Sequence, residues 1–305
     1  MTLVKNLDRD FVGYGGLPPD PQWPNGARIA VNFVLNYEEG AEMNVLDGDA
    51  YCEASMTDAG ASNMGIKGRD LAAESMFEFG SRVGFWRIQR IFAERGLPMT
   101  IFGCALALER NPQATRAIVD SGHDVCCHGY RFRRHYEMAE DDEREEIRRG
   151  VELLARLLGE RPYGWYCRYA PGVHTRRLLV EEGGFLYDSN SYADELPYWV
   201  DVNGRSHLVI PHSFHVNDNK YARGWIGTAD DFVGLARDAF DQLYAESALA
   251  GRMLTVSLHP RVSGHPARAV GLRRLLDHIQ SHADVWVCRR LDIARHWIER
   301  HPPLA

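Results

Sequence analysis

The chain has 305 residues, of which 45% are hydrophobic and 25% charged, and its formal net charge is -7. This composition is that of a globular protein and excludes a disordered or fibrous one. The charge is mild and no basic run carries interleaved aromatic residues, which argues against nucleic acid or an anionic membrane as a partner. The length allows a large core, in one barrel-sized domain or in two smaller ones.

The start of the chain gives an expectation about location. The string MTLVKNLDRDFVGYGG has no apolar signal core, and no apolar run reaches the roughly 18 to 20 residues that a membrane span needs. We therefore expect a cytoplasmic protein. The segment up to about residue 27 is rich in Gly and Pro, and we expect it to wrap irregularly over the domain or over a neighbouring subunit. The six cysteines form no C-x-x-C pair, so buried, reduced thiols are the simplest interpretation.

Short apolar runs typical of buried strands alternate with helical stretches along the chain. In order, the predicted strands are RIAVNFVL, LPMTIF, HDVCCH, GWYC, FLYD, HLVIP, MLTVSLH and VWVC. This alternation is the pattern of βα units and a parallel sheet. Seven or eight strands over this length favour a (β/α) barrel, because no G-x-G-x-x-G or P-loop motif follows the first strand. No linker or repeat divides the chain, and we expect residues 1–305 to form one catalytic domain.

Two of the intervening helices can be predicted in detail. In the segment 141–160 apolar residues recur at spacings of four and three, and Gly159 stands where a C-terminal cap belongs. In the segment 228–247, Thr228 precedes Asp231 by three residues, which is an acidic variant of the capping box. Both segments are amphipathic, so both helices should cover a sheet.

Charged and polar residues follow several predicted strands at the point where each strand ends. These residues are Glu38, Glu39, His128, Arg168, Asp188, Asn190 and His259. In a βα barrel the carboxyl ends of the strands converge on one mouth, where active sites are built. We therefore expect these residues, although far apart in the sequence, to face one cavity. The long loop at 40–65 is a candidate lid or substrate-selecting segment.

The residues at these strand ends resemble the motifs of the polysaccharide deacetylases of the NodB-homology type, whose fold is an irregular (β/α)7 barrel. The first motif of that family ends in an Asp pair, one a base and the next a metal ligand, and it matches Glu38 and Glu39. The Arg of the third motif matches Arg168, and the His of the last motif matches His259. The resemblance covers nearly the whole chain in motif order.

The second motif of the family, H-[ST]-x-x-H, supplies two metal-binding histidines, and here the chain departs from it. The string HGYRF keeps His128 but places Phe132 where the second ligand would stand. The matched positions thus offer a metal only Glu39 and His128, whereas a transition-metal site needs about three protein ligands. We expect no cofactor; the alternative is zinc or another divalent metal held through Glu39 and His128, with a third ligand such as His135.

These departures are similar to the branch of the family that contains metal-independent allantoinases and cyclic imide hydrolases, as are the strings GFWRI and DSNSYADELPYW. The resemblance implies a hydrolase that opens a C–N bond in a small cyclic amide, imide or ureide, in carbohydrate or purine metabolism. It also implies a homo-oligomer, either a tetramer or a dimer. The alternatives are a metal-dependent N-deacetylase of a sugar polymer and a catalytically inactive carbohydrate-binding or scaffolding relative.

Without a metal, amide hydrolysis still needs an activated water, a stabilised oxyanion and a proton for the leaving nitrogen. We expect Glu38 or Glu39 to be the general base and His259 to be the acid. His128 would stabilise the oxyanion. Arg168 would clamp the substrate carbonyl or the base, or would instead be an ion-pair partner of Asp188 or a glutamate.

Four further residues are candidates for substrate binding. Asp188 and Asn190 follow a predicted strand, and Tyr198 and Trp199 would form an aromatic wall for a flat ring or part of the core. The identity of the ring is left open, because pocket shape and a few hydrogen bonds decide it.

Two local features weigh against allantoin itself as the substrate. The string HSFHVNDNKYARGWIG contributes two extra histidines, His212 and His215, near a predicted strand of the pocket. Pro260 follows directly on His259. Both features depart from what the resemblance to allantoinases leads us to expect.

Overall fold

The structure is a computed structural model that describes residues 9–59 and 66–303. Two predicted segments lie partly outside this range. Residues 1–8 belong to the predicted irregular N-terminal segment, and residues 60–65 to the predicted lid loop.

Nine strands of the described chain form one sheet. In chain order they are β1 (Ile29–Tyr37), β2 (Thr100–Gly103), β3 (Asp124–Cys127), β4 (Gly164–Trp165), β5 (Tyr187–Asp188), β6 (Tyr198–Val202), β7 (Arg205–Val209), β8 (Arg252–Leu258) and β9 (Val285–Cys288). The order across the sheet is β6-β7-β5-β4-β3-β2-β1-β8, and β9 pairs with the first part of β1. Every pairing is parallel except that of β6 with β7. All eight predicted strands are present.

The strand β6 was not predicted from the sequence. It forms an antiparallel hairpin with β7, and the two strands are joined by Asn203 and Gly204, with φ of 54° and 78°. Asn-Gly is the preferred pair for such a two-residue turn, because both positions need positive φ. The signal for the hairpin was therefore present in the sequence.

Helices follow the strands and cover the sheet. They are α1 (Leu71–Phe79), α2 (Phe85–Ala93), α3 (Ala105–Arg110), α4 (Pro112–Asp120), α5 (Glu140–Leu158), α6 (Thr175–Glu182), α7 (Asn219–Ala222), α8 (Ala229–Glu246), α9 (Pro260–Ser263), α10 (Pro266–Gln280) and α11 (Arg290–Arg300). A π-helical turn, Gly80–Gly84, joins α1 to α2. None of the described helices combines the length and the apolar character needed to cross a membrane.

The two helices predicted in detail are confirmed as α5 and α8. Gly159 ends α5 in the left-handed conformation, with φ of 80°, where a residue without Cβ is favoured. Thr228 caps α8 and forms the predicted capping box with Asp231. Their buried faces pack on the sheet, which accounts for their apolar stripes.

The strand β1 is the centre of the fold, since all nine of its residues are buried. Its side chains alternate between two faces. Phe33 and Leu35 pack in the core under the covering helices. Val34 packs on the inner face of the sheet, where Asn32 and Asn36 make buried hydrogen bonds to β8. The six cysteines are buried and unpaired.

Arg290 joins distant parts of the sheet across its inner face. Its guanidinium is fully buried and donates to Asn32 Oδ1 at 2.9 Å and to Ser189 Oγ at 2.9 Å. It also donates to the carbonyl oxygens of Ile210 and Pro211, at 2.6 and 2.8 Å. These acceptors lie on β1 and just after β5 and β7, so the sheet curls into a mostly parallel half-barrel. The predicted irregular (β/α)7 barrel of the polysaccharide deacetylase type is confirmed in this form.

Candidate active site

Glu38 and Glu39 follow directly on β1 and are buried at the mouth of the half-barrel. They expose only 1% and 3% of their surfaces. An ionised carboxylate is costly to bury unless a cation or several donors pair with it. The two side chains share one cation, the guanidinium of Arg261 in α9.

Arg261 holds both carboxylates in place. Its Nη2 lies 2.5 Å from Glu38 Oε2, and its Nη1 lies 3.1 Å from Glu39 Oε1. Its Nε donates to the carbonyl oxygen of Met56 at 2.9 Å, which ties the loop after β1 to the same group. The planar guanidinium suits this task because its donors point in fixed directions. The sequence analysis did not identify Arg261, although it stands two residues after His259.

The π-helical turn makes room for this arrangement. A Cβ at Gly80 would lie 2.5 Å from a carboxylate oxygen of Glu39, and one at Gly84 would overlap the carbonyl oxygen of Pro260. Gly80 therefore lets the turn approach Glu39, and Gly84 lets it approach α9. This contact fixes the position of Arg261 relative to β1.

The surroundings shift the pKa values of the two carboxylates in opposite directions. Burial raises the pKa of Glu38, but Arg261, His259 and His128 together outweigh burial and hold the pKa well below its usual value. Burial also raises the pKa of Glu39, and Arg261 offsets only part of that effect while the charge of Glu38 adds to it. Glu38 is therefore held in the ionised form, which can accept a proton, whereas the raised pKa leaves Glu39 more often in the protonated form, which cannot.

Two histidines approach the same oxygen of Glu38. The Nε2 atoms of His128 and His259 lie 3.3 and 3.7 Å from Glu38 Oε1. The Nδ1 atom of His128 lies 2.7 Å from the carbonyl oxygen of Tyr166. Because a carbonyl oxygen only accepts, Nδ1 carries a proton and donates, and Nε2 is left to interact with Glu38.

His259 is oriented by Asp218, a residue that the sequence analysis did not identify. Nδ1 of His259 donates to Asp218 Oδ1 at 2.5 Å, and the backbone N–H of His259 donates to Asp218 Oδ2 at 2.7 Å. Burial lowers the pKa of His259, but the charges of Asp218 and Glu38 outweigh burial and raise it above its usual value. With Nδ1 engaged, Nε2 faces Glu38, as in other histidine-carboxylate pairs. His259 is therefore suited to act as a protonated acid.

Arg168 links two loops at the mouth. Its Nη2 lies 2.5 Å from Glu53 Oε2, and its Nη1 donates to the carbonyl oxygen of Phe132 at 3.0 Å. The guanidinium also lies over the Phe132 ring, 4.2 Å from its centroid. Of the ion-pair partners considered from the sequence, the structure places a glutamate beside Arg168. The residue thereby fastens the loop after β1 to the loop after β3.

Asp188 and Asn190 are held by partners around β5. The carboxylate of Asp188 accepts from Arg176 Nε at 2.8 Å and lies 3.1 Å from His207 Nε2. Burial raises the pKa of Asp188, but His207 and Arg176 lower it to about 2. Asn190 Oδ1 accepts from the backbone N–H of Cys167 at 2.8 Å. These contacts give both residues a structural part in holding β5.

Tyr198 and Trp199 lie on β6 and make contacts of their own. The hydroxyl of Tyr198 donates to Ser191 Oγ at 2.5 Å. The indole N–H of Trp199 donates to the carbonyl oxygen of His301 at 2.7 Å, and its ring packs on the inner core cluster. Within the described chain, neither residue is among the hydrogen-bond, ion-pair or ring contacts of Glu38, His128 and His259.

The side chains at the mouth do not provide the set of metal ligands to which the family's second motif contributes. The guanidinium of Arg261 pairs with both carboxylates, and Phe132 offers no ligand atom. His135, the candidate third ligand, packs edge-on against Trp165 at 5.6 Å. Within residues 9–59 and 66–303, three ligand-type side chains come within 4.8 Å of one another only at Asp241 in α8, His278 in α10 and His282 just after α10.

Comparison with known proteins identifies relatives of the whole chain. The family model described as "Polysaccharide deacetylase" matches residues 68–185. A Schizosaccharomyces pombe protein described as "Putative polysaccharide deacetylase" is 37% identical and aligns over 96% of this chain and 98% of its own.

Two solved structures also match nearly the whole chain. The crystal structure of PuuE allantoinase is 46% identical and superposes with a TM-score of 0.94, covering 98% of this chain and 100% of that one. The structure of "probable Polysaccharide deacetylase" from Pseudomonas aeruginosa PAO1 has the same TM-score and coverage at 45% identity. The likeness to both therefore includes the strand ends that carry the site.

Proposed function

Because the chain belongs to the polysaccharide deacetylase family, we propose that it is a hydrolase that opens a C–N bond in a small cyclic amide, imide or ureide. The observation that carries the proposal is the group around Glu38: an ionised carboxylate, a fixed guanidinium, and a histidine with a raised pKa whose Nε2 lies 3.7 Å from the carboxylate. The 46% identity to a protein named as an allantoinase adds support, because allantoin is a cyclic ureide.

The first step is attack by water on a ring carbonyl carbon. Glu38 accepts a proton from the water as the new C–O bond forms, and negative charge develops on the former carbonyl oxygen. Arg261 keeps a second N–H on each terminal nitrogen beside those that bind the glutamates. These donors, together with His128, stabilise the oxyanion.

The second step is cleavage of the C–N bond. His259 donates its Nε2 proton to the leaving nitrogen while the tetrahedral intermediate collapses to a carboxylic acid. Asp218 keeps the imidazole in the required orientation throughout. Glu38 then returns its proton to His259 across the 3.7 Å that separates the two groups, and the site is reset.

Two features favour a cyclic substrate over an acetylated sugar polymer. A ring imide or ureide has a more electrophilic carbonyl than an acetamide. Its hydrolysis therefore needs less stabilisation of the transition state, and side-chain cations can act in place of a metal ion. The three reacting side chains Glu38, His128 and His259 are each at most 3% exposed, which suits a small molecule that is enclosed rather than a polymer lying in an open groove.

The second candidate function is metal-dependent N-deacetylation of a sugar polymer. The names of the fission yeast and Pseudomonas relatives favour it. The guanidinium of Arg261 between the two carboxylates, and Phe132 in place of the second histidine, weigh against it.

The test is acid release in a weakly buffered indicator assay by purified protein that has been treated with a chelator. The panel is allantoin, hydantoin, succinimide, maleimide and N-acetylglucosamine oligomers. We expect turnover of at least one ring substrate with the metal removed. Activity that appears only when zinc is added back, or only on the acetylated sugar, would contradict the proposal.

A further inference from the structure

Three side chains that can ligate a metal meet where α10 packs against α8. They are Asp241 in α8, His278 in α10 and His282 just after α10, and one ligand atom of each lies within 4.8 Å of those of the other two. Elsewhere in the part of the chain that the structure describes, no three such side chains come within that distance. The steps proposed at the mouth of the half-barrel use none of these residues.

The three side chains come from two helices and are open to solvent. The two histidines stand four residues apart, which brings side chains to one side of a helix, and their ring centroids are 4.8 Å apart. Asp241 approaches from the neighbouring helix, with Oδ1 2.6 Å from Nε2 of His278. The side chains of His278 and Asp241 are 26% and 45% exposed. An ion can therefore reach them from water.

The ring of His282 is held in a form that suits a metal ligand. Its Nδ1 lies 2.9 Å from the carbonyl oxygen of His278, and because a carbonyl only accepts, Nδ1 donates and Nε2 of the neutral ring keeps the lone pair. A ligating histidine commonly donates its other ring N–H to a carbonyl in this way, which fixes the tautomer. Phe240 packs edge-on against the rings of His278 and His282, with centroids 5.7 and 5.0 Å away.

The donor set selects the kind of metal. Two imidazole nitrogens and one carboxylate oxygen suit zinc and its transition-metal neighbours, whereas magnesium and calcium prefer oxygen ligands alone. In a tetrahedral zinc site the ligand atoms lie roughly 3.3 Å apart, because each is about 2.0 to 2.1 Å from the ion. The separations here, from 2.6 Å to no more than 4.8 Å, span this value. Rotation of the side chains can therefore complete the geometry, with water as a fourth ligand.

We propose that Asp241, His278 and His282 bind one zinc ion, or a similar divalent transition-metal ion, that fastens α10 to α8. When the ion binds, His278 carries its proton on Nδ1 and directs the Nε2 lone pair to the ion, in place of its hydrogen bond to Asp241. Because the ligands come together only when the two helices pack, the ion binds the folded chain and stabilises it.

The location of the site indicates a structural metal. His282 comes shortly before β9, which pairs in parallel with the first part of β1, so the site lies toward the amino ends of these strands. Glu38 and His259 follow the carboxyl ends of β1 and β8. In βα barrels the amino ends of the strands serve stability, and the carboxyl ends serve catalysis. We therefore expect bound zinc to raise the stability of the fold and to leave turnover unchanged.

Binding is tested by calorimetry with zinc chloride on protein that has been stripped with a chelator and desalted. We expect one zinc ion per chain, and an affinity about 100-fold weaker in His278→Gln and in His282→Gln. His174→Gln is the matched control, because His174 is a surface histidine beside one carboxylate, that of Glu140 at 3.4 Å. No binding by the wild type, or equal affinity in all three variants, would mean an adventitious ion only and would overturn the site. Thermal melting without metal verifies that the variants fold.

The fastening of the two helices is tested by thermal melting with and without zinc. At a zinc concentration about 100 times Kd, we expect Tm of the wild type to rise by about 5 °C, and Tm of His278→Gln and His282→Gln to stay constant. Binding that leaves the Tm of the wild type unchanged would overturn the structural role. Zinc that His278→Gln retains and Glu39→Gln loses would place the ion at the mouth and overturn the inference.

Discussion

Two arginines buried in this protein have opposite surroundings. Arg261, at the mouth, pairs with the carboxylates of Glu38 and Glu39, and these charges outweigh burial and raise its pKa. The acceptors of Arg290, inside the half-barrel, are neutral oxygens in the described chain, and burial lowers its pKa. Burial alone therefore does not identify a functional arginine. The charge of the acceptors separates a group that controls reacting carboxylates from one that holds strands together.

The largest expected effect is a loss of activity on substitution of Glu38 at the mouth of the half-barrel. Glu38→Gln keeps the shape of the side chain but cannot accept a proton from water, so we expect kcat/KM on the ring substrate to fall about 10³-fold. Glu39→Gln is the matched control, because the raised pKa of Glu39 leaves this carboxyl more often protonated and unable to accept a proton, and we expect about a tenfold loss there. Steady-state kinetics with both variants make the measurement. Near-normal turnover in both would refute the assignment of the base.

The next effect concerns Arg290 and stability. Arg290→Met leaves buried acceptors on β1 and after β5 and β7 without donors, and we expect the free energy of unfolding to fall by about 3 to 5 kcal/mol. Urea unfolding measures this. The activity per folded molecule should change far less than in Glu38→Gln. A variant of wild-type stability would show that the contacts across the half-barrel contribute little.

The contrasting substitution at the mouth is Arg261→Lys. Lysine keeps the charge but loses the fork that binds Glu38 and Glu39 together, so we expect kcat to fall about 100-fold. The free energy of unfolding should fall less than in Arg290→Met. Kinetics and urea unfolding of the two arginine variants, measured together, decide whether the two roles are distinct. If Arg261→Lys kept full activity and lost as much stability as Arg290→Met, the two arginines would not have distinct roles.

The smallest expected effect is a shift in the pH profile. The proposed acid is the protonated form of His259, so activity should fall as pH rises through the pKa of this residue, which Asp218 and Glu38 raise above about 6.5. The stability that this protonated form contributes is likewise present below about pH 6.5 and lost as pH rises through the raised pKa. Asp218→Asn removes one of the two charges, and the alkaline limb of kcat/KM should move about one pH unit lower. An unmoved limb would assign that ionisation to another group.

Much of the fold could be predicted because its signals are local. The eight strands were visible as apolar runs, and α5 and α8 as amphipathic stretches with their caps at Gly159 and Thr228. The hairpin of β6 and β7 was not predicted, although its Asn-Gly turn stands in the sequence, because β6 is a partly exposed edge strand and lacks the apolar run of a buried one.

The candidate site could be predicted in part for the same reason. Parallel strands bring their carboxyl ends to one edge, so Glu38, His128 and His259 could be placed together from their positions after β1, β3 and β8. The contacts of Asp188 and Arg168 could not be predicted from the positions of these residues after their strands. Side-chain partners at the mouth depend on how loops and hairpins return to it.

The sequence by itself determined the alternation of strands and helices, the family motifs and the residues at the strand ends, because each depends on neighbours within a few positions. Only the tertiary structure decided which partners those residues have. Arg261 reaches Glu39 across 222 positions and Asp218 reaches His259 across 41, and no periodicity spans such distances. The assignment of Glu38 as base and His259 as acid therefore rests on contacts that form only when the sheet curls.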